Sequence, residues 1–257
     1  MSESELLEND FYQKEYDKDF VDHWDDLIGW EGRQEAEAGF FHRMLDAFDL
    51  KKVLDAACGT GFHSITMAQE GFQVTAADGA GTMVEKTLEN ARQLGVQLSD
   101  SRAVDWLNLE DEFGENAFDA LICLGNAFTH LFEHETRRDA LRQMYRVVRP
   151  GGMIIVDHRN YDSLLEEGFN SKHQYYYTGE GIDARPIELT RTLAKFQYTF
   201  PNGNVFYLHM YPLKQDYVTH LLQDAGFADV NRYGDFERPY QHYEPDFIQQ
   251  VALKPKR

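Results

Sequence analysis

The chain is poor in cysteine and in long apolar runs, and both shortages exclude classes of protein. Its 257 residues include two cysteines, Cys58 and Cys123, whose spacing fits no metal site and predicts free buried thiols rather than a disulfide. No apolar run is long enough to span a membrane, and the acidic start does not resemble a secretory signal. We therefore expect a cytoplasmic protein without a structural zinc site.

Basic residues are also scarce. Lysine and arginine number 25 against 44 acidic residues, which gives a formal net charge of −19. Such a surface repels phosphate backbones, so we expect no nucleic-acid partner. The charge favours either simple solubility or a halophilic adaptation, in which salt screens the self-repulsion. Thermal stability measured across a potassium chloride series separates the two, because only the adaptation predicts a rise.

One segment reads as a strand, a glycine turn and the start of a helix. Residues 53–61 run Val-Leu-Asp-Ala-Ala-Cys-Gly-Thr-Gly. Gly59 and Gly61 allow positive φ angles and close approach of a ligand to the backbone, and the following helix offers unpaired N–H groups. By itself the segment predicts either a cofactor cradle or an ordinary connection between a strand and a helix.

The residues near this turn narrow the choice of cofactor. A dinucleotide fingerprint needs a third glycine at position 64, where this chain has Ser64, so a nicotinamide cofactor is disfavoured. Asp78 follows the next predicted strand, at the crevice outside the carboxyl ends of the sheet. A carboxylate there suits a ribose diol, whose two hydroxyls both donate. Turn and acid together resemble the Rossmann-like S-adenosylmethionine-dependent methyltransferases.

Strands and helices alternate as a parallel α/β sheet requires. The patterns predict strands near 52–56, 73–77, 99–104, 118–124 and 152–158, and helices near 35–48, 62–70, 81–94, 135–148 and 214–225. Arg-Pro-Gly-Gly at 149–152 predicts the end of a helix just before the fifth strand.

The alternation breaks after residue 162. Residues 174–212 are rich in aromatic and β-branched types, and Pro-Asn-Gly-Asn at 201–204 separates two strand-like runs, as in a hairpin. Two last strands are predicted near 229–235 and 246–253. We therefore expect a Rossmann-like, mostly parallel seven-stranded sheet, with helices on both faces, from residues 51–162 and 213–257. Residues 163–212 are expected as an antiparallel insertion over the active site, and residues 1–50 as an N-terminal helical segment.

Polar segments follow the third, fourth and fifth strands. Asp105-Trp106 offers a carboxylate and an indole to a purine, or is a surface acid beside a half-buried ring. Asn126 offers an amide oxygen to a substrate amine, or forms a turn with the preceding glycine. His130 contacts a cofactor or is a satisfied half-buried histidine. Arg159 grips a carboxylate with two hydrogen bonds, or pairs with a neighbouring aspartate.

Four motifs together resemble the glycine N-methyltransferase family, which includes the glycine/sarcosine N-methyltransferases that start betaine synthesis. They are Val-Leu-Asp-x-Ala-Cys-Gly-Thr-Gly, Cys-Leu-Gly-Asn-x-Phe-x-His-Leu, Arg-Pro-Gly-Gly and Asp-His-Arg-Asn-Tyr-Asp. The last, at residues 157–162, is much more specific than the glycine turn. The resemblance extends from about residue 20 to the end, and residues 20–28 look like the family's helical flap over the cofactor.

The resemblance implies a role for each residue that matches the family toward S-adenosylmethionine, whose product is S-adenosylhomocysteine. Arg33 would hold the methionine carboxylate and Asp78 the ribose. The full set of implied cofactor-binding residues is Tyr16, Trp24, Trp30, Arg33, Ala57, Gly59, Asp78, Asp105, Trp106, Leu124 and His130.

The resemblance also implies a site for a small amino-acid substrate. Arg159 would hold its carboxylate and Asn126 its nitrogen. Tyr177 and Tyr198 would complete the catalytic set around the amine and the methyl, although each tyrosine also suits ordinary strand packing. A further family tyrosine falls at Met210, which leaves the adjacent Tyr211 as the candidate for that contact.

The implied activity is S-adenosylmethionine-dependent methylation of glycine to sarcosine and of sarcosine to dimethylglycine, without a metal. The alternatives are a sarcosine/dimethylglycine methyltransferase that makes betaine, a methyltransferase for another small amine, and a glycine methyltransferase or non-catalytic binder that regulates methyl supply. The acidic residues 1–17 do not look like the segment that assembles the animal tetramers, so a monomer of the microbial branch is expected.

Overall fold

A computed structural model describes residues 8, 10–169 and 178–256. Its strands are β1 Lys52–Asp55, β2 Gln73–Asp78, β3 Asp100–Ala103, β4 Phe118–Cys123, β5 Val148–Arg159, β6 Asp183–Leu189, β7 Ala194–Thr199, β8 Val205–Met210, β9 Ala228–Gly234 and β10 Phe247–Leu253. Seven of them form one sheet in the order β3-β2-β1-β4-β5-β10-β9. Strands β1 to β5 are parallel, and β10 is antiparallel to both of its neighbours. The expected mostly parallel seven-stranded sheet is confirmed.

Helices cover both faces of this sheet. They are α1 Phe11–Glu15, α2 Lys18–Asp22, α3 Trp24–Ile28, α4 Trp30–Glu37, α5 Phe40–Asp46, α6 Phe62–Gln69, α7 Gly81–Gln93, α8 Leu109–Phe113, α9 His134–Val147, α10 Tyr161–Glu167 and α11 Gln215–Ala225. Successive strand residues point to opposite faces, so Leu121 of β4 packs with Leu141 of α9, whereas Ile122 packs with Leu45 of α5. Among the described helices, none is long and apolar enough to cross a membrane.

Two predicted elements differ from those observed. The single helix expected near 35–48 is two helices, α4 and α5, because Ala38 and Gly39 between them have left-handed φ angles of 44° and 72°. Strand β5 begins at Val148, before the Pro-Gly-Gly sequence expected to precede it. A register shift against β4 accommodates that sequence within the strand, between the pairs Phe118–Val148 and Ala120–Met153.

The three remaining strands form a separate antiparallel sheet in the order β6-β7-β8. Residues 201–204 connect β7 to β8, which confirms the predicted hairpin. Helices α1 to α4, residues 11–37, are called the flap here. Phe20 and Leu27 of the flap join Phe196 and Leu208 of the small sheet in one buried cluster. Flap and small sheet therefore pack as one layer, called the cover below.

Candidate active site

The floor of the site is the glycine turn with the carboxyl ends of β1, β2, β4 and β5. Gly59 and Gly61 have φ angles of 54° and 98°, as the turn predicts. Ser64 stands where a dinucleotide site would need glycine, and its hydroxyl donates to Asp55 Oδ2 at 2.7 Å. The serine therefore fastens the first turn of α6 to the end of β1.

Asp78 ends β2 beside this turn. Its two carboxylate oxygens accept hydrogen bonds from the backbone N–H groups of Gly59 at 3.0 Å and Ala80 at 2.9 Å. Burial raises the pKa of Asp78 to about 6. Each oxygen has a second lone pair, so the carboxylate can accept further bonds from a diol in the cavity.

One cavity lies between the floor and the cover. The predicted site residues that line it are Tyr16, Trp24, Arg33, Ala57, Gly59, Asp78, Trp106, Leu124, Asn126, His130, Arg159 and Tyr198. Tyr177 lies outside the described residues. Residues from the flap, from the ends of five strands and from the insertion thus line one cavity.

Trp30 and Asp105 do not line this cavity, although both were predicted to bind the cofactor. The indole N–H of Trp30 donates to Asp25 at 3.1 Å, and both residues border a separate groove. The carboxylate of Asp105 accepts from the backbone N–H of Leu107 at 2.8 Å and so caps a short 3₁₀ helix. Trp106 does reach the cavity, and its indole N–H donates to the carbonyl of Ala56 in the floor at 2.5 Å.

Tyr211 also lies outside the lining, and Met210 occupies the position toward the cavity. The Tyr211 ring packs 4.2 Å from the Arg137 guanidinium, on the far side of the backbone. In the pairing of β7 with β8, Met210 faces Ala194 and Phe206 faces Tyr198, so residues of even number share the cavity side. The predicted contact for Tyr211 is therefore corrected to Met210.

Asn126 joins the ends of β4 and β5. Its Nδ2 donates to the Tyr161 hydroxyl at 3.0 Å and to the Met210 sulfur at 2.9 Å, while its Oδ1 accepts from the backbone N–H of Arg159 at 2.9 Å. Asp157 accepts from the Asn126 backbone N–H at 2.7 Å. The amide is fixed by these contacts, and only the second lone pair of Oδ1 remains for a ligand.

The Arg159 guanidinium lies among aromatic rings. Its central carbon is 4.8 Å from the ring centroid of Phe247, 5.0 Å from that of Phe196 and 5.9 Å from that of Phe169. Phe247 pairs with Arg159 across β10 and β5, whereas Phe196 belongs to the cover. This cation therefore stands where floor and cover meet, in surroundings that strengthen its pairing with a carboxylate.

The flap closes the other side of the cavity. The Tyr16 hydroxyl and His130 Nε2 are hydrogen-bonded at 2.9 Å, and the Trp24 ring packs edge-on against Tyr16 with centroids 5.2 Å apart. Burial raises the pKa of Tyr16 well above its usual value and lowers that of His130. At neutral pH the pair is thus a phenol and an uncharged imidazole.

Several lining residues had no role assigned to them from the sequence. Tyr12, Thr60, His63 and Phe247 are examples. Thr60 Oγ1 is buried and finds no hydrogen-bond partner within the described parts of the chain, which fits a wall that receives a polar ligand. The position of His63 in the first turn after the glycines was a usable signal, whereas Tyr12 and Phe247 lie far from the motifs in sequence.

Known proteins resemble this chain in sequence and in fold. A methyltransferase-domain family model matches residues 53–152. The glycine/sarcosine N-methyltransferase of Aphanothece halophytica is 46% identical over 97% of this chain and 94% of its own length. The glycine/sarcosine/dimethylglycine N-methyltransferase of Actinopolyspora halophila is 45% identical over 98% of this chain, which spans 45% of that protein.

A solved S-adenosylmethionine-dependent methyltransferase from Clostridium acetobutylicum superposes with a TM-score of 0.73 at 15% identity, over 92% of this chain and 98% of that one. This likeness confirms the Rossmann-like methyltransferase fold. The sequence identity to a glycine/sarcosine N-methyltransferase extends over nearly the whole chain and is much more specific evidence for the family. The chain therefore belongs to the glycine/sarcosine N-methyltransferase family of class I S-adenosylmethionine-dependent methyltransferases.

Proposed function

We propose that this protein transfers methyl groups from S-adenosylmethionine to glycine and then to sarcosine, giving sarcosine and dimethylglycine, as early steps of betaine synthesis. The observation that carries the proposal is one cavity with two chemically different ends. Gly59 and Asp78 form an end suited to a nucleoside, and Asn126 and Arg159 form an end suited to a small amino acid. The names of the relatives from halophilic organisms agree with this substrate range.

We assign the nucleoside end to the cofactor. Asp78 accepts from the ribose hydroxyls, the turn at Ala57 and Gly59 leaves room for the backbone to approach, and Arg33 binds the methionine carboxylate. When bound, S-adenosylmethionine supplies an electrophilic sulfonium methyl. The flap residues Tyr16 and Trp24 shield that end of the cavity from water.

The residues at the other end align the amine. The planar fork of Arg159 binds the substrate carboxylate with two parallel hydrogen bonds. The second lone pair of Asn126 Oδ1 accepts from the amine N–H and points the nitrogen lone pair at the methyl. Such alignment contributes several kcal/mol to lowering the barrier, on the order of 10⁵ M in effective concentration.

The proton of the amine leaves by way of solvent. The nearby phenols stay protonated and cannot accept this proton, because burial raises the pKa of Tyr198 and of Tyr161 above the usual value. Only the free amine is a nucleophile, so turnover rises toward alkaline pH as that form is populated. A rate maximum near pH ~6 would contradict this proton route.

Product formation with glycine, sarcosine and dimethylglycine as separate substrates tests the proposal. We expect S-adenosylhomocysteine to accumulate with glycine and sarcosine. Turnover of sarcosine and dimethylglycine without turnover of glycine would favour the betaine-forming alternative. The name of the Actinopolyspora halophila relative, which includes dimethylglycine, makes this the second candidate. Cofactor binding without turnover of any of the three would contradict both.

A further inference from the structure

Helix α4 carries a buried carboxylate that the proposed reaction leaves without a role. Glu37 lies one helical turn after Arg33, and the two residues are 7% and 6% exposed. A single oxygen, Glu37 Oε1, accepts from Arg33 Nε at 3.0 Å and is hydrogen-bonded to His63 Nε2 at 2.8 Å. Arg33 and His63 both line the cavity, whereas Glu37 stands behind them.

This contact holds Arg33 against the helix that follows the glycine turn. Phe62 and His63 are the first two residues of α6. The central carbon of the Arg33 guanidinium is 5.5 Å from the Phe62 ring centroid, while His63 reaches Glu37 on the other side. The guanidinium plane is thus oriented by a ring of α6 and by a carboxylate that α6 itself anchors.

The carboxylate is charged in this environment. Burial alone would raise the pKa of Glu37, but the contacts with His63 and Arg33 outweigh it and hold the pKa below its usual value. A long, flexible arginine side chain has several rotamers of similar energy, and binding a planar carboxylate needs one of them. The fixed negative charge of Glu37 beside Arg33 Nε selects that rotamer before a ligand binds.

We propose that Glu37 and His63 are positioning residues that pre-orient Arg33 for the α-carboxylate of S-adenosylmethionine. The inference rests on the proposed function for the identity of the ligand. Neither residue contacts the reacting atoms, and their effect is confined to the affinity for the amino-acid end of the cofactor.

A pair of ligands that differ at that end tests the proposal. S-adenosylhomocysteine has the amino-acid end, and 5′-methylthioadenosine shares the adenosine and the sulfur but lacks it. For Glu37→Gln we expect calorimetry to give an affinity for S-adenosylhomocysteine reduced about tenfold, and one for methylthioadenosine changed by less than about twofold. Glu35→Gln removes the same charge from an exposed position of α4 and should change neither affinity.

His63 provides the second pair of variants. His63→Gln keeps a side-chain N–H that can reach Glu37 and should retain most of the affinity for S-adenosylhomocysteine. His63→Phe keeps the ring but loses the hydrogen bond, so this affinity should fall. Equal loss of both ligands in Glu37→Gln would mean that the contact only docks α4 on α6, and unchanged affinity for both would mean that Arg33 needs no support. Either result overturns the inference and leaves the proposed function standing. If the unaltered protein binds neither ligand, the proposed function fails as well.

Discussion

The floor and the cover of the cavity are held together by different kinds of contact. In the floor, backbone groups dominate: Cys58 N–H donates to the Ala77 carbonyl at 2.9 Å, and Ala56 N–H donates to the Ile122 carbonyl at 2.8 Å. These bonds extend the hydrogen-bond ladder of the parallel sheet into the turn.

In the cover, side chains from distant parts of the chain dominate. Glu15 Oε1 of the flap and His209 Nδ1 of β8 are hydrogen-bonded at 2.5 Å, with side chains only 7% and 5% exposed. Phe20 stacks on Phe206 with ring centroids 4.5 Å apart. Such contacts can break without unfolding the main sheet, so we expect the cover to be the part that opens for a ligand. We therefore expect the floor to hold the nucleoside end of the ligand and the cover to control access to the cavity.

The largest expected effect comes from Arg159, where floor and cover meet. Arg159→Lys keeps the charge but loses the planar fork, so the KM for glycine should rise about 100-fold while S-adenosylhomocysteine affinity stays within about twofold. Steady-state kinetics and calorimetry on the same preparation measure both. If both affinities fell together, Arg159 would hold the two layers in place rather than bind substrate.

For the floor, we predict that ligand affinity depends on pH through Asp78. Since burial raises the pKa of Asp78 to about 6, acidification below that value protonates the proposed ribose acceptor. Affinity for S-adenosylhomocysteine should therefore fall as pH drops, approaching about tenfold per pH unit if only the ionised form binds. Calorimetry between pH 5 and 8 measures this, and Asp78→Asn should bind more weakly and lose the dependence. A steeper fall in the Asn variant would assign the effect to another group.

Asp78 affects the stability of the fold in the opposite direction to its effect on ligand affinity. Its folded-state pKa lies above the usual 3.8, so the folded protein binds this proton more tightly than the unfolded chain. The contribution of Asp78 to the free energy of unfolding is complete below pH ~4 and is lost as pH rises through about 6. Ligand affinity and this contribution to stability therefore change with opposite sign over one pH window.

The cover makes a prediction about local opening. Glu15→Gln replaces the carboxylate in the buried contact with His209, so hydrogen exchange in α1 to α3 should accelerate about tenfold while β1 and β4 keep their protection. Asp19→Asn removes one acidic charge from an exposed position of the flap and serves as the control. Uniform acceleration in flap and sheet would show that the cover does not open separately.

The smallest effect is expected at Tyr211. Tyr211→Phe should leave kcat/KM within about twofold, because the ring contact with Arg137 remains and the hydroxyl is outside the cavity. The matched change Tyr198→Phe, at a residue that lines the cavity, should lower kcat/KM about tenfold. The reverse ranking would contradict the register by which Met210 replaces Tyr211 in the lining.

The residues of the floor could be predicted from the sequence more fully than those of the cover. Each floor residue sits at a short, recognisable distance from a strand end, so Gly59, Asp78 and Asn126 could be placed from the chain alone. Trp30 does not reach the cavity although Arg33 of the same helix does, because a helix turns by about 100° per residue and its side chains face different surroundings. The support of Arg33 by Glu37 and His63 depends on how α4 meets α6, which no local pattern encodes.

The sequence by itself determined the sheet, the glycine turn and the acid beside it, because these depend on hydrophobic periodicity and on contacts between neighbouring βα units. It also indicated the family, through four short motifs. Only the tertiary structure decided that the flap and the small sheet form one cover. It alone decided that Met210 rather than Tyr211 lines the cavity. The physical reason is that side-chain packing between distant segments depends on strand register and helix orientation. A shift of one residue in a strand reverses which side chain faces the cavity, and in a helix it turns each side chain by about 100°.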